Sequence, residues 1–187
     1  MATWRLFIAV ELPDDVRRLL GSVVRELAAT GADVKWSRPE SMHLTLKFLG
    51  DTAEEEVANL ARVLDAAAAA GRPHAATLGG LGAFPDLRRP RVLWIGLDEP
   101  SGELVALQKR IEEATRYLAE PDPRGFEGHL TLGRVRSSRR GRELSEMMQG
   151  YRLESKLAIP VREIVLIRSV LGRDGPTYTP LHRSRIG

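Results

Sequence analysis

Apolar positions along this chain fall into short unbroken runs and longer periodic stretches, and the two kinds alternate. Leu6-Phe7-Ile8-Ala9-Val10 is an unbroken run closed by Glu11 and Pro13. A run of that length followed by proline reads as a buried strand ended by a turn. Val16, Leu19, Leu20, Val23, Val24 and Leu27 then recur with the 3.6-residue period of an amphipathic helix. Asp14 and Asp15 stand in its first turn, where the helix dipole favours negative charge. The same order returns later. Val92-Leu93-Trp94-Ile95-Gly96-Leu97 is a second run, closed by Asp98 and Pro100, and Leu104, Leu107, Ile111, Ala114 and Leu118 predict a second helix. Ser101 and Glu103 suit its start. After each helix comes a loop and then one tetrapeptide, His43-Leu44-Thr45-Leu46 or His129-Leu130-Thr131-Leu132. From Pro13 to His43 is 30 positions, and from Pro100 to His129 is 29. A strand–helix–strand unit therefore occurs twice, at about 4–50 and 91–136.

The rest of the pattern fits around these units. Glu54 to Ala70 predicts a third helix, and Gly71 suits its end because glycine takes a left-handed cap at little cost. Ala75 to Leu81 reads as a strand. Phe84-Pro85-Asp86 opens a loop carrying Arg88, Arg89 and Arg91, and Arg142 to Gln149 reads as a short helix. Ile164 to Val170 is a late strand, Gly172 to Pro176 a turn, and Tyr178 to His182 a last short strand. Pro121 to Gly125 reads as a stiff loop. No stretch is rich enough in Gly, Pro or Ser to divide the chain, so 1–187 reads as one domain.

Composition narrows the chemistry. The chain has 187 residues, 43% hydrophobic and 28% charged, within the range of globular domains. It has no cysteine, so it has neither a thiolate nucleophile nor a thiolate metal site. No run is long enough for a membrane span, and the first residues lack the apolar core of a signal peptide. A cytoplasmic protein is the expectation. Of 28 basic residues 24 are Arg, the net charge is +3 and the pI is about 9.6. Arg forks onto phosphates, so an anionic partner fits; a plain compositional bias toward Arg and Ala fits equally well.

The tetrapeptides carry the sharpest signal. Side chains in a strand alternate faces, so His43 and Thr45 share one face, and Leu44, Leu46 and Phe48 the other. His129 and Thr131 are opposed to Leu130 and Leu132 in the same way. One such polar pair is ordinary on a solvated sheet. Two at matching places in a repeated unit point to function. Unperturbed imidazoles titrate near neutrality, so one can act as base and the other as acid. Threonine hydroxyls can donate to anionic oxygens. Such a pair facing across a cleft suits in-line displacement at phosphorus. No His-x-His or His-Glu-x-x-His spacing makes the histidines a metal site. His74 and His182 read as surface or packing residues. Lys47 shares the parity of His43 and Thr45, and Arg134 lies five positions beyond His129, followed by Arg136, Arg139, Arg140 and Arg142. Trp36 and Phe84 could stack on a base. Trp94 and Phe48 are expected in the core.

The stretches Ser41 to Gly50 and Phe126 to Arg134 resemble the two signature motifs of the 2H (two-histidine) phosphoesterases. Together with Arg5 to Val10, Gly82 to Pro85, Ser169 to Leu171 and Tyr178, they make the chain similar to the RNA 2',3'-cyclic phosphodiesterases, the LigT-like proteins also called 2'-5' RNA ligases. The resemblance implies an α+β fold with two pseudo-symmetric lobes, mostly antiparallel sheets lining a central cleft, and helices outside. It implies hydrolysis of an RNA 2',3'-cyclic phosphate end to a 2'-phosphomonoester without metal or other cofactor, with 2'-5' ligation as a secondary activity. By resemblance His43 is the proton donor, His129 the proton acceptor, and Thr45 and Thr131 bind phosphate. Arg134, Lys47, Trp36 and Phe84 are then candidate RNA contacts, and the protein is expected to be a monomer. The residues themselves do not decide which histidine is the acid. They also leave open an enzyme for small cyclic nucleotides and a module that only binds RNA ends.

Overall fold

The computed structural model describes residues 2–121, 125–172 and 175–187. The apolar run at the start forms β1 (Thr3–Glu11), and the periodic stretch after it forms α1 (Asp14–Ala28). There follow β2 (Val34–Trp36), β3 (His43–Ala53), α2 (Val57–Ala69), β4 (His74–Phe84), β5 (Val92–Asp98), α3 (Glu103–Ala114), β6 (His129–Val135), α4 (Gly141–Gly150), β7 (Ala158–Val161), β8 (Glu163–Gly172) and β9 (Gly175–Arg185). Short 3-10 turns at Pro39–Ser41 and Glu54–Glu56 precede β3 and α2. The expected turn at Gly172 to Pro176 and the loop at Pro121 to Gly125 lie partly outside the described residues. No helix among the described residues is long and apolar enough to cross a membrane.

The strands form two antiparallel sheets, ordered β3-β1-β8-β9 and β2-β6-β5-β4-β7. The α+β class and the repeat both appear here. β3-β1 in one sheet matches β6-β5 in the other, with Glu11 opposite His43 and Gly96 opposite His129. This equivalence is two residues out of step with the proline spacing, because β5 runs further before Pro100. Two residues preserve facing in a strand, so the sequence parity survives.

β2 differs from the expectation of a plain loop. It leaves the first repeat and pairs with β6 of the second, Trp36 opposite Gly133. A Cβ at Gly133 would stand 2.7 Å from Val34 and 3.0 Å from Trp36, so glycine lets this edge strand close. β7 has no clear sequence pattern, being four residues bonded to β4. Leu118 lies beyond α3, which ends where buried Thr115 turns its hydroxyl back onto the Ile111 carbonyl at 2.7 Å. Leu118 still packs against the main core.

One buried cluster runs through both sheets, from Leu6, Ile8, Leu44 and Leu20 to Leu93, Ile95, Leu130 and Leu107. A second, smaller cluster of Phe7, Ala9, Val165 and Ile167, with Tyr178 against it, covers the other face of the first sheet. β1 is thus buried on both faces, which is why its apolar run is unbroken rather than alternating.

Candidate active site

Both motif histidines open a strand, and β3 and β6 are spatial neighbours although they belong to different sheets. Nδ1 of His43 lies 2.9 Å from the Ser41 carbonyl oxygen, and Nδ1 of His129 lies 2.7 Å from the Glu127 carbonyl oxygen. A carbonyl only accepts, so Nδ1 carries the proton in each ring and Nε2 is left for chemistry. His74 also begins a strand and makes the same contact, to Arg72 at 2.8 Å. The contact is therefore a property of a histidine at a strand start. What distinguishes the motif pair is that their strands adjoin.

A departure from alternation follows each threonine. Opposite Ala9 and Ile8, β3 steps from Thr45 to Lys47 and leaves Leu46 as an extra residue. Opposite Trp94 and Leu93, β6 steps from Thr131 to Gly133 and leaves Leu132 over. Such a bulge reverses the facing of every residue after it. Simple parity therefore fails beyond the threonines, and two expectations fall together. Phe48 is not in the core: it is 62% exposed and its ring lies 5.9 Å from Phe7, on the His43 side. Lys47 is not on that side: it is 6% exposed, ion-paired to Glu112 of α3, and donates to the Ala119 carbonyl at 2.8 Å. In the second copy the same reversal turns Gly133 inward and Arg134 outward with His129 and Thr131.

The histidines sit among rings. Phe7 stacks on His43 at 4.6 Å, and Tyr178 meets it edge-on at 5.1 Å. Burial here pushes His43 from 6.5 down to about 4, with the Arg17 charge adding a smaller push; the Ser41 carbonyl resists it. Phe84 meets His129 edge-on at 5.0 Å, and Trp94 lies 6.2 Å from it. Trp94 does not lie in the core as its apolar run suggests. Directly opposite Thr131, it is half-buried on the cleft face. Gly82 makes room for its indole, since a Cβ there would come within 2.2 Å of the ring. Trp36, by contrast, is half-buried against the main core on β2.

Thr45 and Thr131 are half-buried, and their hydroxyls have no partner among the described residues. Tyr178 has its phenol pushed up by burial, opposed by the charges of Arg134 and Arg5. Arg134 belongs to one sheet and Tyr178 to the other, so the two sheets converge on one electropositive cleft. Tyr178, Phe7 and Arg5 were not expected as site residues. Tyr178 lies 49 positions from the second motif, and only the fold brings it to His43. Beside His129 a cavity of about 330 Å³ is lined by Gly79, Gly80, Trp94, Gly96, Asp98 and Glu127. Its two carboxylates, Asp98 and Glu127, disfavour an anion there.

The model of the LigT-like phosphoesterases matches the chain twice, over residues 10–94 and 95–178, once for each copy of the repeat. Over 177 residues the chain is 36% identical to the RNA 2',3'-cyclic phosphodiesterase of Archaeoglobus fulgidus, with 95% of this chain and 97% of that one covered. The crystal structure of a protein from Thermus thermophilus superposes with a TM-score of 0.79 at 28% identity, over 97% of both chains. That of E. coli LigT complexed with NADP+ does so with 0.78 at 25% identity, over 98% of both.

Proposed function

The chain belongs to the LigT-like phosphoesterase family, and from that premise we propose that it hydrolyses RNA 2',3'-cyclic phosphate ends to 2'-phosphomonoesters. The observation that carries this reading is the pair of adjoining strands, each opened by a histidine with Nδ1 tied back and Nε2 free, and each followed by a threonine with an unpartnered hydroxyl.

In this reading Nε2 of His129 takes a proton from water as the water oxygen attacks phosphorus. The bond from phosphorus to O3' breaks, and His43 delivers a proton to that oxygen. The product is a 2'-phosphomonoester with a free 3'-hydroxyl. Thr45 and Thr131 donate to the non-bridging oxygens, where preorganised donors lower the barrier. Two imidazoles supply both proton transfers, so the scheme includes no metal-bound water. Burial holds His43 neutral before substrate binds. A phosphodiester anion against Nε2 favours the charged ring, so substrate entry itself loads the donor. A 5'-hydroxyl in place of water would give a 2'-5' linkage through the same groups. The same reading has the chain act as one bilobal domain, a monomer working on RNA in the cytoplasm. Arg134 and Phe84, on the cleft side, remain its RNA contacts; Lys47 and Trp36 do not.

The test is a short RNA ending in a 2',3'-cyclic phosphate, incubated with the protein in excess EDTA, with the terminal monoester identified. A 2'-phosphate formed by the wild type and lost in His43→Ala and His129→Ala is expected. A 3'-phosphate would reverse the ring opening. Turnover surviving either substitution would overturn the proton-transfer pair.

A further inference from the structure

At the end of β6 away from His129 lies a second cavity, of about 490 Å³, lined by Arg88, Arg89 and Arg91 from the β4–β5 loop and by Arg136, Ser137 and Arg139 from the β6–α4 loop. Among the described residues no carboxylate lines it. Asp86, on the loop before it, is occupied by the backbone amides of Arg88 and Arg89, at 2.7 and 3.0 Å. Asp33 accepts from Ser137 at 2.7 Å. Among the described residues the Arg139 guanidinium donates only to the Gly31 carbonyl, at 3.2 Å. Among the described residues the guanidinium groups of Arg88, Arg89, Arg91 and Arg136 have neither an ion pair nor a hydrogen bond. Elsewhere in the molecule arginines do find carboxylates, Arg183 with Glu11 and Glu163 and Arg142 with Glu146. Four uncompensated cations around one cavity repel one another, and a field of this kind draws in an anion.

The position of the cavity says which anion. β6 runs from His129 to Val135, and Val135 lines the cavity. At about 3.3 Å per residue that is roughly 20 Å from the catalytic ring. Arg134 lies between, on the same face as His129 and Thr131. A row of positive charge thus leads from the cleft to the groove. It is too long for one nucleotide, and a stacked strand advancing about 3.4 Å per phosphate reaches it about six nucleotides from the cyclic end, an unstacked one sooner. We propose that this arginine groove is a distal subsite for the phosphodiester backbone of the RNA strand whose cyclic end occupies the cleft, and that it makes the enzyme prefer oligonucleotides to mononucleotides. This rests on the cleft being the site of the cyclic end.

The experiment compares wild type with the triple variant Arg88→Gln, Arg89→Gln, Arg91→Gln, all at exposed positions. The substrates are a 2',3'-cyclic mononucleotide and an octanucleotide with a 2',3'-cyclic end, each over a salt series. The expected result is an unchanged kcat/KM on the mononucleotide. On the octanucleotide kcat/KM falls about tenfold at low salt, and the log–log salt slope flattens by about 2, as three lost phosphate contacts on a single strand require. Unchanged octanucleotide kinetics would overturn the subsite, and so would an equal loss on both substrates. If wild type cleaves neither substrate, the reading of the cleft fails instead. Fluorescence anisotropy of the labelled octanucleotide, wild type against triple variant, then decides the groove by itself: equal affinity overturns it, and weaker binding by the variant upholds it.

Discussion

His43 is where local environment and chemistry meet most directly. Stacked on Phe7 and edged by Tyr178, it stays neutral until about pH 4, whereas in the unfolded chain it titrates at its ordinary 6.5. Between those values the unfolded chain binds a proton that the folded one does not, so stability falls as pH drops from about 6.5 to 4. For one group the loss is at most about 3 kcal/mol. Urea unfolding at stepped pH should show this slope in wild type and a flatter one in His43→Gln; an equal slope in both would place the acid sensitivity elsewhere. Phosphate binding should move His43 upward by about one unit or more, read from its ring resonances in a titration with inorganic phosphate. No upward shift would make His43 the base and His129 the donor. Thr45→Ala and Thr131→Ala should cost about 10- to 100-fold in kcat, one donor's share of the transition state or less, while either histidine substitution costs more. Parity alone exposes these four residues, because each lies at or before the first bulge.

Beyond the bulge, the elements decide. Lys47 shares parity with His43 on paper, yet it is buried and ties β3 to α3 through Glu112, which also accepts from Gln108 at 2.6 Å. Removing one partner of a buried pair leaves the other uncompensated. Lys47→Met should destabilise the fold by about 3 kcal/mol, and Lys47→Met with Glu112→Leu by clearly less. Denaturation midpoints measure both, and turnover per folded molecule should change little in either. Weaker RNA binding at full stability would instead return Lys47 to the cleft. Gly82→Ala probes the opposite lobe. A methyl group there collides with Trp94, and the displaced indole borders His129. Turnover and tryptophan emission should change together, with the melting transition much less affected. Trp94 escapes because its apolar run reads as buried on both faces, whereas β5 alternates, with Leu93 and Ile95 in the core and Trp94 on the cleft face. Phe48 and β2 escape for related reasons. A bulge costs one residue of register without a mark in composition. A three-residue edge strand is too short to show a period.

At the scale of the whole molecule, the proposed mechanism makes the two histidines one unit, so their effects should not add. The double variant His43→Ala, His129→Ala should be little slower than the worse single one, as for groups serving one transition state. Multiplied losses, measured by single-turnover kinetics, would mean two independent contributions. The sequence by itself determined the α+β class, the strand–helix–strand repeat and the His-Thr pairs, because strand and helix periodicity and the facing of neighbouring side chains are local properties of the chain. It also carried the family resemblance along nearly its whole length. The tertiary structure decided the rest. It placed β2 on the other repeat's sheet, turned Lys47 inward and Phe48 outward, and brought Tyr178 to His43. It also gathered arginines from two loops more than forty positions apart around one groove. These depend on register between distant strands, and register is fixed by hydrogen-bond ladders and core packing, which no local pattern records.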